Sequence, residues 1–224
     1  RYMLGALNGM EEGERVAFDD MPELERWVLH RLFEMDSQIR KDIKEHDYNS
    51  VSHALHRFCN EDLSAFYFDV RKDSLYCDDP KDPTRKAVRT VIETVFDHLV
   101  CWLAPILCFT AEEAYLARHP SEDGSVHLLD FPEVPASWED SALAERWAKI
   151  RNLRRVVTGA LEVARGDKVI GSSLQAAPDL YVTKEAKELL KDINFAEICI
   201  ASGLQVCEGA APSDAFTLPE VPDA

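Results

Sequence analysis

The sequence has no apolar run of the roughly 18 residues that a membrane-spanning helix needs. Its longest apolar stretch, Leu99 to Phe109, falls short of that and holds Pro105, so no such helix is expected. A secretory leader is not legible either, because Arg1 to Asn8 lack an extended apolar centre and a small-residue cleavage site. The opening on Arg1 rather than Met reads as the start of a piece cut from a longer chain, expected in the cytoplasm. Catalytic signatures are missing as well: there is no G-x-G-x-x-G, no P-loop, no G-x-S-x-G and no H-E-x-x-H. Cys59, Cys77, Cys101, Cys108, Cys199 and Cys207 form no C-x-x-C pair and no zinc-type spacing with histidine. Thiols scattered through apolar sequence are expected to be buried and reduced. His53 and His56 lie three apart on a helix, but no acid or cysteine at i+4 completes a metal site, which leaves a solvated face. Neither a catalytic nor a metal site is expected, and a chain of this size without one is expected to bind a partner.

Basic residues are also scarce, 25 against 41 acidic, for a net charge of −16. Taken whole, that disfavours a polyanionic partner. At physiological salt, however, the Debye length is about 8 Å, so a phosphate responds to nearby side chains far more than to the total. The distribution of the cations decides.

Helical periodicity dominates what is present. Leu24, Val28, Leu32, Met35, Ile39 and Ile43 recur at threes and fours, one face of an amphipathic helix over Glu23 to Ile43. Val51, Leu55, Phe58, Leu63, Phe66, Tyr67 and Val70 repeat the pattern over Asn49 to Leu75. The prolines and aspartates of residues 78–83 end that helix, and a third follows Pro83 as far as the break at Pro105. Thr110-Ala111-Glu112-Glu113 has the capping-box form and opens a short helix to about Arg118. A proline- and acid-rich loop over 119–137 leads to a long helix from Ser141 to Arg165, stopped by Gly166. Leu180–Val182 and Glu197–Ala201 read as short strands around a helix at Lys184–Lys191. The expected fold is mainly α: an antiparallel helix bundle over 1–135, then a long helix with a small α/β or α+β subdomain over 136–209. Residues 210–224, with three prolines among small and acidic residues, are expected to be poorly ordered.

Between Arg146 and Gly171 the balance of charge reverses, with seven basic residues and two acidic ones. At 100° per residue Arg151, Arg154, Arg155 and Arg165 share a stripe about 100° wide, with Trp147 at its edge. Guanidiniums beside an aromatic suit phosphate contact and base stacking. A solvated helix face, with Arg155 offset by Glu162, fits the same spacing equally well. On the second helix His53, Arg57, Asn60, Ser64 and Arg71 line up, with Lys72 at the margin; the exposed side of a bundle helix is the preferred reading, RNA contact the other. Arg85, Lys86 and Arg89 run on into Glu93 and Asp97, as surface pairing would have it.

Several ordered segments resemble one family. Arg1-Tyr2-Met3-Leu4-Gly5 is similar to the end of the helix leaving the catalytic core in class I synthetases for large aliphatic amino acids, and Leu24-Glu25-Arg26-Trp27-Val28-Leu29 is similar to their D-R-W-I-L helix start. Asn60 to Tyr76 resembles the isoleucyl form N-x-x-L-S-x-F-Y-L-D-x-x-K-D-R-L-Y, and Leu103 to Glu113 resembles L-A-P-I-L-P-F-T-A-E-E. Ser125-Val126-His127-Leu128 matches an S-V-H-L element, and Lys168 to Ala176 resembles K-x-I-G-S-S-L-E-A. Together these cover residues 1 to about 176 and resemble the isoleucyl-tRNA synthetases of class Ia. Two departures are Ser74 for an arginine, which removes a candidate phosphate contact, and Cys108 for a proline, which should relax the kink. The family's HIGH and KMSKS signatures, its proofreading domain and a four-cysteine zinc module do not occur in these residues.

The resemblance implies a class Ia anticodon-binding domain. The parent enzyme would use ATP, with magnesium, to activate isoleucine and load it on tRNA. This part, monomeric by itself, would work beside the catalytic domain of the same chain and grip the anticodon stem and loop of isoleucine tRNA. Arg151, Arg154, Arg155, Arg165 and Lys168 are the first candidates for contact, Trp147 a stacking candidate, and Arg57, Arg71 and Lys72 a second tier. Two other readings remain open at this point, a valyl-type relative and a helical scaffold that binds proteins through its acidic surface.

Overall fold

A computed structural model describes all 224 residues, which form two compact units, Arg1–Asp140 and Ser141–Ala224. The break falls five residues beyond the expected boundary.

The first unit is helical. It comprises α1 (Tyr2–Leu7), α2 (Glu23–Lys44), α3 (Tyr48–Arg57), a π-helical segment (Phe58–Tyr67), α4 (Phe68–Val70), α5 (Lys72–Tyr76), α6 (Pro83–Leu103) and α7 (Cys108–Arg118). In α2 the amphipathic set holds, with Leu24, Val28, Leu32, Met35 and Ile39 buried. A short turn at 45–47 folds α3 back along α2, and α6 packs on α2 as well. Asp82 caps α6 by accepting from the Thr84 and Arg85 amides, with Pro83 in the first turn, where its missing N–H costs nothing. The core is aromatic at its centre: Trp27 meets Phe66 edge-to-face at 5.5 Å, and Trp102, Tyr67 and Phe58 are fully enclosed.

Four local expectations change. The second helix is not uniformly α. From Phe58 to Tyr67 it is wound in the wider π form, and the buried positions recur every four residues as Asp62-Leu63, Phe66-Tyr67, Val70-Arg71 and Ser74-Leu75. A period of four outruns 3.6, and the i→i+5 turn absorbs the difference. Thr110 does not cap α7, which starts at Cys108; Glu112 instead accepts from the Val126 amide and the Ser125 hydroxyl, pinning the Val126–Leu128 turn. The substitution of Cys108 for proline leaves the break in place, since α6 ends at Leu103 and α7 begins at Cys108. Arg89 and Glu93 do not pair along α6. Arg89 donates to the Ala6 and Asn8 carbonyls and to Glu14, while Glu93 receives Arg15 at 2.7 Å and Arg118 at 2.6 Å, so the ridge clamps the N-terminal segment and α7.

In the second unit α8 (Ser141–Gly166) buries Leu143, Ile150, Leu153, Val157 and Leu161 along one stripe. It is followed by β1 (Asp179–Val182), α9 (Lys184–Leu189), α10 (Phe195–Cys199) and β2 (Gln205–Glu208). The strands pair in parallel, Asp179 opposite Gln205 through Val182 opposite Glu208, with both helices in the crossover. The expected strand at Glu197–Ala201 is therefore a helix ending in left-handed Ile200 (φ 55°). Asn194 caps it, and Phe195, Ile198 and Cys199 bury the i, i+3, i+4 face; the strand lies six residues later. Residues 210–224 are not a loose tail in this fold. Phe216 lies against Gly159 on α8, Val221 is buried, and the Thr183 amide donates to the Asp223 carbonyl.

Candidate nucleic-acid interface

In the first unit, a cleft of about 440 Å³ runs between α2 and α3 and reaches the start of the π segment. Gln38 and Asp42, one turn apart on α2 and hydrogen-bonded at 2.7 Å, form one wall. Ser50, His53 and Arg57 form the other, and Asn60, Glu61 and His56 close the end. The Asn60 amide lies 2.9 Å from a His56 ring nitrogen, which holds both side chains in place. Asp47 fixes the entry to α3, accepting from the Ser50 amide at 3.1 Å and hydroxyl at 2.7 Å, contacts that hold its carboxyl below the usual range. The lining mixes donors (Arg57, Gln38, Asn60) with acceptors (Asp42, Glu61). Such a lining suits the edges of unpaired bases and ribose hydroxyls, while its carboxylates repel phosphate.

The π winding sorts the second-tier candidates. Arg57, Asn60 and Ser64 remain on one exposed side, and four-residue spacing carries that side to Lys72, which is exposed. Arg71 turns inward and is only 7% exposed. Its guanidinium grips Glu25 through two 2.8 Å bonds, and the Tyr67 hydroxyl donates to the same carboxylate. Burial, and then the neighbouring Glu25, push the Tyr67 hydroxyl well above its ordinary pKa. Arg71 thus serves the core of the bundle.

In the second unit the arginines of α8 divide. Arg154 donates to the Ile198 carbonyl at 2.7 Å and Arg146 to the Leu189 carbonyl at 3.2 Å, so both satisfy helix ends, of α10 and α9. Trp147 is 2% exposed and presents no ring face to a base. Arg155 and Arg165 remain exposed, paired with Glu220 and Glu162, and Arg151 is half-buried. Past the end of α8, Lys168 stands exposed with φ 61°. The segment after it is folded: Gln175 accepts from the Gly171 amide at 2.6 Å and shares a capping box with Ser172. Arg165 in the last turn of α8 is thus followed by Lys168 and the Ser172 and Ser173 turn on a loop whose Val169 and Leu174 face solvent.

The cysteines are all free, but Cys77 and Cys108 are exposed, against the expectation of burial. Cys199 is enclosed, and burial raises its thiol pKa to about 12. No group of three or more His, Cys, Asp or Glu is placed to hold a metal ion, and no helix is long and apolar enough to cross a membrane.

A sequence model of the anticodon-binding domain of tRNA ligases matches residues 25–181, from the first turn of α2 to β1. The chain belongs to that family. Its similarity to individual relatives runs further: it is 51% identical to the isoleucine–tRNA ligase of Brucella abortus over 222 residues, which are 99% of this chain and 23% of that protein. The isoleucine–tRNA ligases of Mesorhizobium japonicum and Agrobacterium fabrum are 51% and 50% identical over 99% of the chain, covering 22% and 23% of their own lengths. The chain thus spans under a quarter of the length of these relatives. Within this anticodon-binding domain, Gln38, Asp42 and Glu61 were not singled out from the sequence. Their signal was faint: Gln38 and Asp42 are an i,i+4 pair on the polar side of α2, indistinguishable there from any solvated pair.

Proposed function

We propose that this chain is the part of an isoleucine–tRNA ligase that binds the anticodon stem and loop of isoleucine tRNA. ATP-dependent activation of isoleucine and its transfer to the tRNA then belong to a catalytic part of the same polypeptide, in the cytoplasm. None of these residues is assigned to ATP or magnesium. The observation that carries the reading is identity of about half, kept over 99% of the chain, to isoleucine–tRNA ligases. The geometry supplies a division of labour. The cleft of His53, Arg57, Asn60 and Gln38 offers donors and acceptors to splayed loop bases. Arg151, Arg155, Arg165 and Lys168 offer cations to phosphates, as Lys72 does beyond the cleft. By itself the chain is expected to be monomeric and to bind weakly, on the order of 10⁻⁴ to 10⁻⁶ M, because its net charge is −16 and its contacts are largely electrostatic.

The test is a titration of the chain with isoleucine tRNA and valine tRNA at two salt concentrations, repeated with Arg155 and Arg165 both changed to Ala. The expected result is preferential, salt-sensitive binding of isoleucine tRNA that weakens at least tenfold in the double variant. Preference for valine tRNA would favour a valyl-type role. Salt-insensitive or absent binding would overturn the RNA reading.

A further inference from the structure

Asp42 is the one buried residue in the lining of the α2–α3 cleft, 5% exposed where the others stand open or half-open. Its Oδ1 accepts from the Gln38 amide at 2.7 Å, but its Oδ2, closed to water, accepts nothing. The bundle gains no stability from leaving a carboxylate oxygen enclosed and unbonded; the cost is offset when a ligand supplies the donor.

The chemistry of the two walls narrows what that ligand is. A carboxylate only accepts, and each of its oxygens can accept more than once. Gln38 therefore orients the Asp42 group without exhausting it, and its exposed side chain can follow the carboxylate as it turns toward the cleft. To such a pair of acceptors adenine and cytosine offer one donor, their amino group, beside a ring nitrogen that is itself an acceptor. Uracil offers one imino group between two carbonyls. Guanine alone presents two adjacent donors, N1–H and the N2 amino group. On the facing wall Arg57 is exposed and makes no ion pair or hydrogen bond, and a guanidinium is the matching donor for O6 and N7 of the same base. The cleft thus has acceptors where guanine donates and a donor where guanine accepts. Phosphate, with no donor for Asp42, is repelled.

We propose that Asp42 is a specificity-determining residue of the RNA site, accepting from N1–H and the N2 amino group of an unpaired guanine while Arg57 donates to its O6 and N7. The proposal rests on the reading of this chain as a binder of the tRNA anticodon loop, and it narrows the cleft from any splayed base to one.

Inosine, which is guanosine without the N2 amino group, is the probe. The chain is titrated at low salt with isoleucine tRNA and with versions carrying inosine at each guanine of the anticodon loop in turn, both unaltered and as Asp42→Asn. The asparagine keeps the volume and one acceptor but replaces the other acceptor by a donor. At one loop guanine, inosine is expected to weaken binding about tenfold, the worth of one hydrogen bond to a charged acceptor. Asp42→Asn should weaken binding of the unsubstituted tRNA at least as much, and inosine at that position should then cost the variant nothing further. Indifference of the unaltered chain to inosine at every position would overturn the proposal, whatever the variant does. So would equal inosine losses in both proteins, which means that another group reads the amino group. Because Asp42 carries an unbonded oxygen, the variant should melt no lower than the parent; a lower melting temperature with unchanged affinity would assign the residue to the fold and overturn the proposal too. If the unaltered chain binds isoleucine tRNA but ignores inosine, this proposal alone fails; if it binds no tRNA, the functional reading fails with it.

Discussion

Glu25 has no exposed surface, and its carboxylate is satisfied by Arg71 and the Tyr67 hydroxyl. Removing one member of such a group strands a buried charge. Glu25→Gln is therefore expected to cost about 3–5 kcal/mol in urea unfolding, whereas Lys72→Ala, one residue beyond Arg71 but exposed, should cost under about 0.5 kcal/mol. Lys72→Ala should instead weaken tRNA binding, so the two adjacent cations separate into stability and affinity. Glu93 predicts an acid dependence. The Arg15 hydrogen bond, with help from Arg118, holds its carboxyl below the ordinary 4.5. A depressed folded pKa gives stability that is present above 4.5 and lost as pH falls below it, because the unfolded chain takes up the proton first. His98, whose ring burial lowers from 6.5, adds an earlier loss below pH 6.5. Asp97, raised by burial, works the other way. Unfolding free energy measured from pH 7 to 3 should fall in both windows, and Glu93→Gln should flatten the lower one alone.

Elements show the same division. The π segment exists because the buried pairs from Asp62-Leu63 to Ser74-Leu75 repeat every four residues, and its consequence is to turn Arg71 inward and Lys72 outward. At the other helix end, Lys168 occupies a left-handed conformation that costs a side chain about 1 kcal/mol and glycine nothing. Lys168→Gly should raise the stability of the second unit by about that amount while lowering RNA affinity; a variant that loses both would contradict the assignment. On α8, a Cβ at Gly159 would lie 2.7 Å from the Phe216 ring. Gly159→Ala gains about 1 kcal/mol of helix propensity but must expel that ring. Net destabilisation is expected in thermal melts, relieved when Phe216→Ala is added.

For the molecule as a whole, a net charge of −16 and RNA binding are compatible only if the contacts are local. The exposed or half-buried cations proposed for contact are Arg57, Lys72, Arg151, Arg155, Arg165 and Lys168. If all six meet single-stranded loop phosphates, the logarithm of the binding constant should fall with the logarithm of salt at a slope of about −4, and each alanine substitution should make that slope shallower by about 0.7. A slope near zero would remove all six at once.

The sequence by itself determined the long helices. The periodicity of α2, the Asp82-Pro83 start of α6 and the span of α8 are local matters of apolar spacing and capping, legible without a partner. It also determined the family, through ordered motifs most of which lie within the matched residues 25–181. What it left open were the features that depend on neighbours distant in the chain. Whether an arginine faces a phosphate or a carbonyl is not encoded in its helical phase, and Arg154 became a cap for α10 only because α10 folds back onto α8. Phe195, Ile198 and Cys199 fit a strand or a helix on apolar content alone, until the Asn194 cap and the packing of α10 on α8 chose the helix. Burial decided the rest: a polar side chain beside a carboxylate is worth little in water and several kcal/mol once enclosed, so only the tertiary structure could separate Arg71 from Lys72.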